Sequence, residues 1–307
     1  MCIRDRSADA QKLASLRELL PATGAGIYLD TASAGPLPAE TAAAMREADE
    51  WELRVGRAVE GRNEDVRQRD AEARAVIAAL IGVEADDVIV GPGRHWAIDL
   101  ARRLTPARDV TPLVDPLAGA RQPVGGGIVD LTWAAGVVPL RAAELGGAAA
   151  IFACDRWLLG PEGTAALWLP GGPPFGEPAL RLDRLPRTTL LGLARSVGWL
   201  EMYVGLEWAL ERGQRLAQQL LEALAATAGV EVVTPADRPA GIVSFRVPGL
   251  PAEEAAAQLR RRVFAIVGVA ERLDAVRASV AWFNTEAELD RFAGAVAEVA
   301  RQRPADG

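Results

Sequence analysis

The fold of this chain is constrained most by short, continuous apolar runs. In these runs polar and apolar residues do not alternate. Examples are IVDL at 128–131, AAAIFA at 148–153 and TAALWL at 164–169. Stretches with helical apolar spacing lie between such runs, as in VRQRDAEARAVIAALIG at 66–82. Strands that are apolar on both faces are typical of a sheet covered by helices on both sides. The sequence therefore predicts an α/β fold.

The pattern changes towards the C-terminus. GIVSFRVPG at 241–249 alternates like a half-buried strand, and VRASVAWFNTEAELDRF at 276–292 predicts a strand, a turn and an amphipathic helix. Thr285 and Glu288 have the spacing of a capping box at the start of that helix. This segment predicts a second, smaller α+β domain.

We expect three parts in the chain. Residues 1–26 form an N-terminal arm, residues 27–200 a large domain, and residues 201–303 the small C-terminal domain. MCIRDR at 1–6 resembles read-through from sequencing adapters, and we expect no structural role for it.

Composition excludes several classes of function. The net charge of −7 argues against nucleic acid as a partner, and no apolar stretch is long enough to span a bilayer. One histidine excludes a multi-histidine metal site, and two cysteines are too few for a thiolate metal site or a disulfide framework. The N-terminus lacks the apolar core of a secretory signal, so we expect a cytoplasmic protein.

Several segments, taken in order, resemble class V aminotransferase-fold enzymes, the fold-type-I pyridoxal phosphate proteins related to cysteine desulfurases and isopenicillin N epimerase-like enzymes. The segments are YLDTASAGPLP, IVDLTWAAGVVPL, CDRWLLGPEGTAALWL, GLARSVGWLEMYVGLEWALERGQRLA and VRASVAWFNTEAELDRF. The resemblance implies a mostly parallel sheet in the large domain, a pyridoxal phosphate cofactor, an amino acid as ligand and a homodimer.

The resemblance also implies cofactor-binding residues. Asp130 ends a buried strand, where the family's aspartate keeps the ring nitrogen protonated. GPGRHW opens a helix after a glycine turn, which suits a phosphate at Gly93. Trp96 follows His95 there, and His95 could bind phosphate, stack on the ring or merely cap the helix. Trp133 falls where relatives place a hydrogen-bonding residue near the ring oxygen.

Arg277 matches the arginine that holds the substrate carboxylate in the family, a role that suits a planar guanidinium. A surface arginine on a strand is the alternative for Arg277. Cys154, inside a strand, is expected to be buried and structural rather than a mobile desulfurase nucleophile.

Arg156 stands where the family carries its catalytic lysine. A guanidinium is delocalised and stays protonated, so it cannot form the internal imine. Only Lys12 among the 34 basic residues is a lysine, and it lies in the N-terminal arm. Without a lysine beside it, Arg156 is expected to approach Asp130 or a bound anion.

The segment 105–127 is too short for the strand–helix units that the family normally carries there, and its prolines and glycines predict a loop. The catalytic apparatus is therefore expected to be incomplete, with imine chemistry impaired or lost and covalent attachment of the cofactor not expected. Three alternatives stay open. The chain is an enzyme that uses the cofactor without covalent attachment, a non-catalytic binding or partner subunit, or a truncated product without function.

Overall fold

A computed structural model describes residues 3–173, 185–236 and 239–302. The chain divides into two compact units. The central unit comprises residues 37–114 and 122–206, and the terminal unit comprises residues 1–36, 115–121 and 207–307.

The elements are named in chain order. The helices are α1 (Ile3–Glu18), α2 (Ala39–Val55), α3 (Arg62–Ile81), α4 (Gly93–Leu104), α5 (Arg187–Gly198), α6 (Leu206–Ala225), α7 (Ala252–Val263) and α8 (Glu286–Arg301). The strands are β1 (Ile27–Leu29), β2 (Val88–Pro92), β3 (Val110–Pro112), β4 (Ile128–Asp130), β5 (Ala149–Ala153), β6 (Thr164–Trp168), β7 (Glu231–Val232), β8 (Ile242–Arg246), β9 (Ala265–Ala270) and β10 (Ala275–Ser279). A π-helical turn, Trp199–Gly205, joins α5 to α6.

The central unit contains a five-stranded sheet in the order β2-β6-β5-β4-β3. Strands β3, β4 and β5 are parallel to one another, and β6 is antiparallel to both β5 and β2. Four of the five strands therefore run in one direction, which agrees with the mostly parallel sheet that the family resemblance implies. Helix α4 packs on this sheet through a core that includes Ile98, Ile151 and Leu167.

The terminal unit contains a second five-stranded sheet, ordered β1-β9-β10-β8-β7. Strand β1 pairs with β9 in parallel, and the other pairs are antiparallel. The rings of Phe245 on β8 and Phe292 on α8 meet edge to face, 6.1 Å apart, inside its core. The predicted domain bounds placed Ile27–Leu29 in the large domain, whereas its hydrogen bonds to β9 put it in this sheet.

Helix α8 begins as predicted, because the Thr285 hydroxyl accepts from the Glu288 amide and the Glu288 carboxylate accepts from the Thr285 amide. Arg212 fixes the loop before it by donating to the carbonyls of Trp282 and Asn284. Partial burial opposes ionisation of Glu286, but hydrogen bonds from Arg212 outweigh it and lower the pKa of Glu286 to about 2. The N-cap signal in the sequence thus specifies the start of α8, which is fixed by hydrogen bonds.

Two further expectations about single segments need correction. Residues 3–6 belong to α1, although the sequence suggested no structure there, and residues 1–2 lie outside the described residues. Segment 105–127 is not a loop throughout, because β3 pairs with β4. Asp115–Arg121 belongs to the terminal unit, where Gly119 lies against Ile242 so closely that a Cβ would be 2.4 Å from its carbonyl oxygen.

No helix within the described ranges combines the length and apolar character needed to cross a bilayer.

Candidate functional site

Asp130 is the most deeply buried acidic group of the predicted site, with no solvent exposure at the end of β4. Its Oδ2 accepts from Nε of Arg94 at 2.6 Å and lies 2.5 Å from Nη2 of the same guanidinium. Its Oδ1 accepts from the backbone N–H of Thr132 at 2.9 Å. A buried carboxylate needs a cation and hydrogen-bond donors, and both come from this chain.

The partner of Asp130 is therefore Arg94, which sequence analysis did not single out. Arg156 was expected to approach Asp130 or a bound anion, but the ion pair of Asp130 is with Arg94 on the first turn of α4, and that of Arg156 is with Asp155. One feature of the sequence pointed to Arg94 as a residue with an anionic partner. The helix dipole disfavours a cation in the first turn of a helix, and a nearby anion compensates for this.

Thr132 and Trp133, which follow Asp130 closely in the chain, complete the surroundings of its carboxylate. The Trp133 ring faces Arg94, whose guanidinium carbon lies 5.2 Å from the ring centroid, within the range of a cation–π contact. The Thr132 hydroxyl accepts from the Ala153 amide at 3.1 Å and so ties the end of β4 to the end of β5. The segment IVDLTW thus builds one side of the site.

The glycine turn before α4 has the predicted form. Gly93 has a φ of +76°, a backbone conformation that favours glycine, and space lies open around it. Gly91 has no room for a side chain, because a Cβ would lie 2.3 Å from the Trp96 ring. Trp96 also packs against the core of the central unit, and His95 is exposed. The structure therefore gives Trp96 a packing role.

Arg156 lies in the connection between β5 and β6. Its Nε is 3.5 Å from Oδ1 of Asp155, and its side chain is 30% exposed. Among the described residues, neither of these two buried atoms has a hydrogen-bond partner. Arg156 therefore has a guanidinium donor that an acceptor could still satisfy.

This connection is tightly constrained. Leu159 is buried and has a φ of 56°, in the left-handed region that a residue with a side chain adopts at a cost of about 1–3 kcal/mol. The Gly160 amide donates to the carbonyl of Cys154, and a Cβ on Gly160 would lie 2.7 Å from that oxygen. The LLGPEG turn that follows Arg156 thus has a closely specified backbone, strained at Leu159.

Cys154 is a free, fully buried thiol, as predicted. Burial raises the pKa of the Cys154 thiol, and the neighbouring Asp155 charge raises it further. A protonated thiol in the interior cannot act as a mobile nucleophile. Cys2 lies outside the described residues.

Arg277 lies on β10 in the terminal unit and is 9% exposed, so it is not a surface arginine. Its Nη2 donates to Oδ1 of Asp30 at 3.1 Å and to the Ser33 hydroxyl. Its Nη1 donates to the carbonyl of Pro116 at 3.2 Å. Gly268 on β9 makes room for this pair, because a Cβ there would lie 2.7 Å from the Asp30 oxygen.

No protein amine lies in the central unit. The single lysine, Lys12 on α1 of the terminal unit, places its ammonium 4.2 Å from the centroid of the Trp208 ring. Across the described ranges, no group of three or more histidine, cysteine, aspartate or glutamate residues could hold a metal ion. The chemical resources of the site are therefore guanidinium groups, one buried carboxylate and aromatic rings.

Comparisons with known proteins give a family match and a fold. Residues 185–292 match the family model "Aminotransferase class-V". No curated protein sequence matches the chain. The family match covers only the last part of the central unit, so the rest of that unit is compared through structure alone.

Three solved structures are similar to the whole chain. A C-DES variant with glycine covalently linked to its pyridoxal phosphate cofactor has a TM-score of 0.80 at 16% identity, covering 92% of this chain and 99% of that one. The apo cysteine desulfurase from Thermococcus onnurineus NA1 has a TM-score of 0.78 at 18% identity, with 94% and 98% covered. Cysteine desulfurase CsdA from Escherichia coli has a TM-score of 0.76 at 17% identity, with 94% and 98% covered. At these identities the likeness establishes the fold, and the fold is the one expected.

Proposed function

From the class V aminotransferase match at residues 185–292 and the fold-type-I architecture around it, we propose that this chain is an aminotransferase class V-like protein without imine chemistry. It binds an amino acid or a related small anion rather than transforming it through a covalent cofactor. The observation that carries the proposal is the pairing of the buried Asp130 with Arg94 in a unit that contains no lysine.

Pyridoxal phosphate is the cofactor that the family and its solved relatives indicate. The donor set of this chain does not fit that cofactor in the family's manner of binding. Covalent attachment needs a neutral amine, and position 156 offers a guanidinium instead. The carboxylate expected to face the ring nitrogen already holds Arg94. The residues of this chain therefore support no covalent chemistry on the cofactor.

Two buried guanidinium donors support an anionic ligand. Within the described residues, Nε of Arg156 and Nε of Arg277 lack hydrogen-bond partners. A buried donor without an acceptor costs free energy that a carboxylate or phosphate oxygen would recover. The open space at Gly93, at the positive end of α4, is a second place where an anion is favoured. Arg156 and the start of α4 in the central unit, and separately Arg277 in the terminal unit, each favour an anion, and none of them is a base that removes a proton from an amino acid.

Titration with pyridoxal phosphate, borohydride reduction and intact-mass measurement test the absence of imine chemistry. We expect no stoichiometric adduct, because Lys12 and the terminal amine are the only nucleophilic amines. The Lys12→Arg variant is the control that removes nonspecific labelling of the side chain. A stoichiometric adduct mapped to a peptide of the central unit would contradict the proposal. Saturable binding without an adduct would instead favour an enzyme that uses the cofactor non-covalently.

We also propose a cytoplasmic homodimer, as expected from the family. Its support is a set of exposed apolar side chains in the central unit: Leu53 is 86% exposed, Met202 82% and Tyr203 62%. Met202 and Tyr203 are neighbours that line one groove, and adjacent exposed apolar side chains, unlike single ones, are typical of surfaces that a partner covers.

Light scattering of the purified chain should give the mass of a dimer, and Met202→Glu should shift it towards the monomer, because a charge at a covered apolar surface must be desolvated. Phe264→Glu is the matched control, since Phe264 is exposed to 67% but lies in the terminal unit. A monomer in the unmodified protein would contradict the proposal for assembly.

A further inference from the structure

We infer that Arg94 is a built-in substitute for a cationic cofactor ring, so that the charge of Asp130 is already paired without a bound pyridine. This inference rests on the proposed function in one respect. It takes Asp130 as the carboxylate that would face the ring nitrogen, as the family resemblance implies.

The hydrogen-bond capacity of Asp130 gives the first argument. A carboxylate oxygen has two lone pairs. Nε of Arg94 donates to Oδ2 at 2.6 Å, and Nη2 of the same guanidinium lies 2.5 Å from that oxygen, so the guanidinium covers Oδ2. Oδ1 accepts from the Thr132 amide. A protonated pyridine would therefore have to displace Arg94 to reach Oδ2.

The shape and charge of the guanidinium give the second argument. It is planar, cationic and delocalised, and a protonated pyridine shares these three properties. The Trp133 ring faces it at 5.2 Å, a contact that favours a flat cation at this place. Trp133 also falls where relatives place a hydrogen-bonding residue for the ring oxygen, and indole cannot accept a hydrogen bond. Trp133 therefore suits a guanidinium at this place better than a pyridoxal ring.

The position of Arg94 in the chain gives the third argument. It lies in the first turn of α4, where the helix dipole disfavours a cation and the first turn carries no acidic residue. The Asp130 carboxylate, fully buried, compensates for this placement. Because Arg94 is covalently part of the helix start, its pairing with Asp130 loses no translational freedom, whereas a free ligand would lose it on binding.

This arrangement predicts which cations can bind at Asp130. The unmodified protein should reject small planar cations at Asp130, and a variant without Arg94 should accept them. The probes are methylguanidinium, which copies the Arg94 head group, and pyridoxine 5′-phosphate, which has the ring and phosphate but no aldehyde. Neither probe can form an imine, so the outcome is separate from the adduct experiment on the proposed function.

The experiment compares melting temperatures of the full chain with and without each probe. Arg94→Met should lower the melting temperature by about 10 °C, because it leaves a buried carboxylate unpaired. Arg103→Met, an exposed arginine on the same helix, is the control and should change it by less than about 2 °C. Methylguanidinium at about ten times its dissociation constant should raise the melting temperature of Arg94→Met by about 3 °C, and pyridoxine 5′-phosphate should also raise it.

The double variant Arg94→Met/Asp130→Asn keeps the test decisive if the single variant fails to fold. It should be more stable than Arg94→Met, and it should not respond to methylguanidinium, because the charge that binds the probe is gone. A saturable rise for the unmodified protein with pyridoxine 5′-phosphate that is lost in the double variant would overturn the inference. An Arg94→Met variant that folds and responds to neither probe would also overturn it.

Discussion

Replacing Arg277 with leucine should lower the free energy of unfolding by about 3 kcal/mol, because it leaves the Asp30 carboxylate without its cation in a largely buried setting. Arg277 donates to Asp30, Ser33 and Pro116, so its loss also frees two neutral acceptors. The effect is below that of a fully buried pair, since the Asp30 side chain is 22% exposed. Urea denaturation followed by circular dichroism measures it.

Arg261→Ala, on the exposed side of α7, is the control and should change stability by no more than about 0.5 kcal/mol. The double variant Arg277→Leu/Asp30→Asn should lose less than the sum of the two single variants, because the two residues share one interaction. Equal losses for Arg277→Leu and Arg261→Ala would mean that the ion pair with Asp30 contributes nothing to stability. Such a result would leave Arg277 free for a ligand carboxylate.

The second large effect is expected when a lysine at position 156 is combined with the removal of Arg94, because the lysine alone should change little. Arg156→Lys should give little or no reduced adduct with pyridoxal phosphate on the peptide that contains position 156. The amine would be restored, but Arg94 would still occupy Asp130 and the short segment 105–127 would still lack cofactor-contacting residues. A site usually needs several preorganised groups, not one.

The informative comparison adds Arg94→Met to Arg156→Lys. If Arg94 occupies the ring site, the double variant should show at least about tenfold more reduced adduct at position 156 than the single variant, a difference of about 1.4 kcal/mol. Arg156→Lys with Arg103→Met controls for the loss of one positive charge from α4. Stoichiometric adduct in Arg156→Lys alone would show that the cofactor cradle is intact despite the short segment 105–127.

Much of the fold follows from local patterns. The unalternating apolar runs at 128–131 and 148–153 became the adjacent parallel strands β4 and β5, and the capping box became the start of α8. Burial of Cys154 followed from its place at the end of such a run. Each of these features is decided by neighbours within a few residues, so periodicity and capping chemistry suffice to predict it.

The parts that sequence reasoning missed depend on distant partners. Arg94 and Asp130 are brought together by the packing of α4 on the sheet, and no local pattern names the partner of an arginine. The segment Asp115–Arg121 is rich in small residues, and only its contacts with β8 and Arg277 give it a place in the terminal unit. Helix-dipole arguments would have drawn attention to Arg94, but they could not identify its counter-charge.

The pairing of β1 with β9 bears on the order in which the chain assembles as it leaves the ribosome. Ile27 pairs in register with Ala265 and its amide donates to the carbonyl of Phe264, so β1 has no strand to pair with until β9 has been made. Most of the central unit is complete by residue 206 and is available to fold earlier. During that interval the apolar Ile27–Leu29 stretch has no strand partner of its own chain, and an unpaired strand edge is open to pairing with other chains.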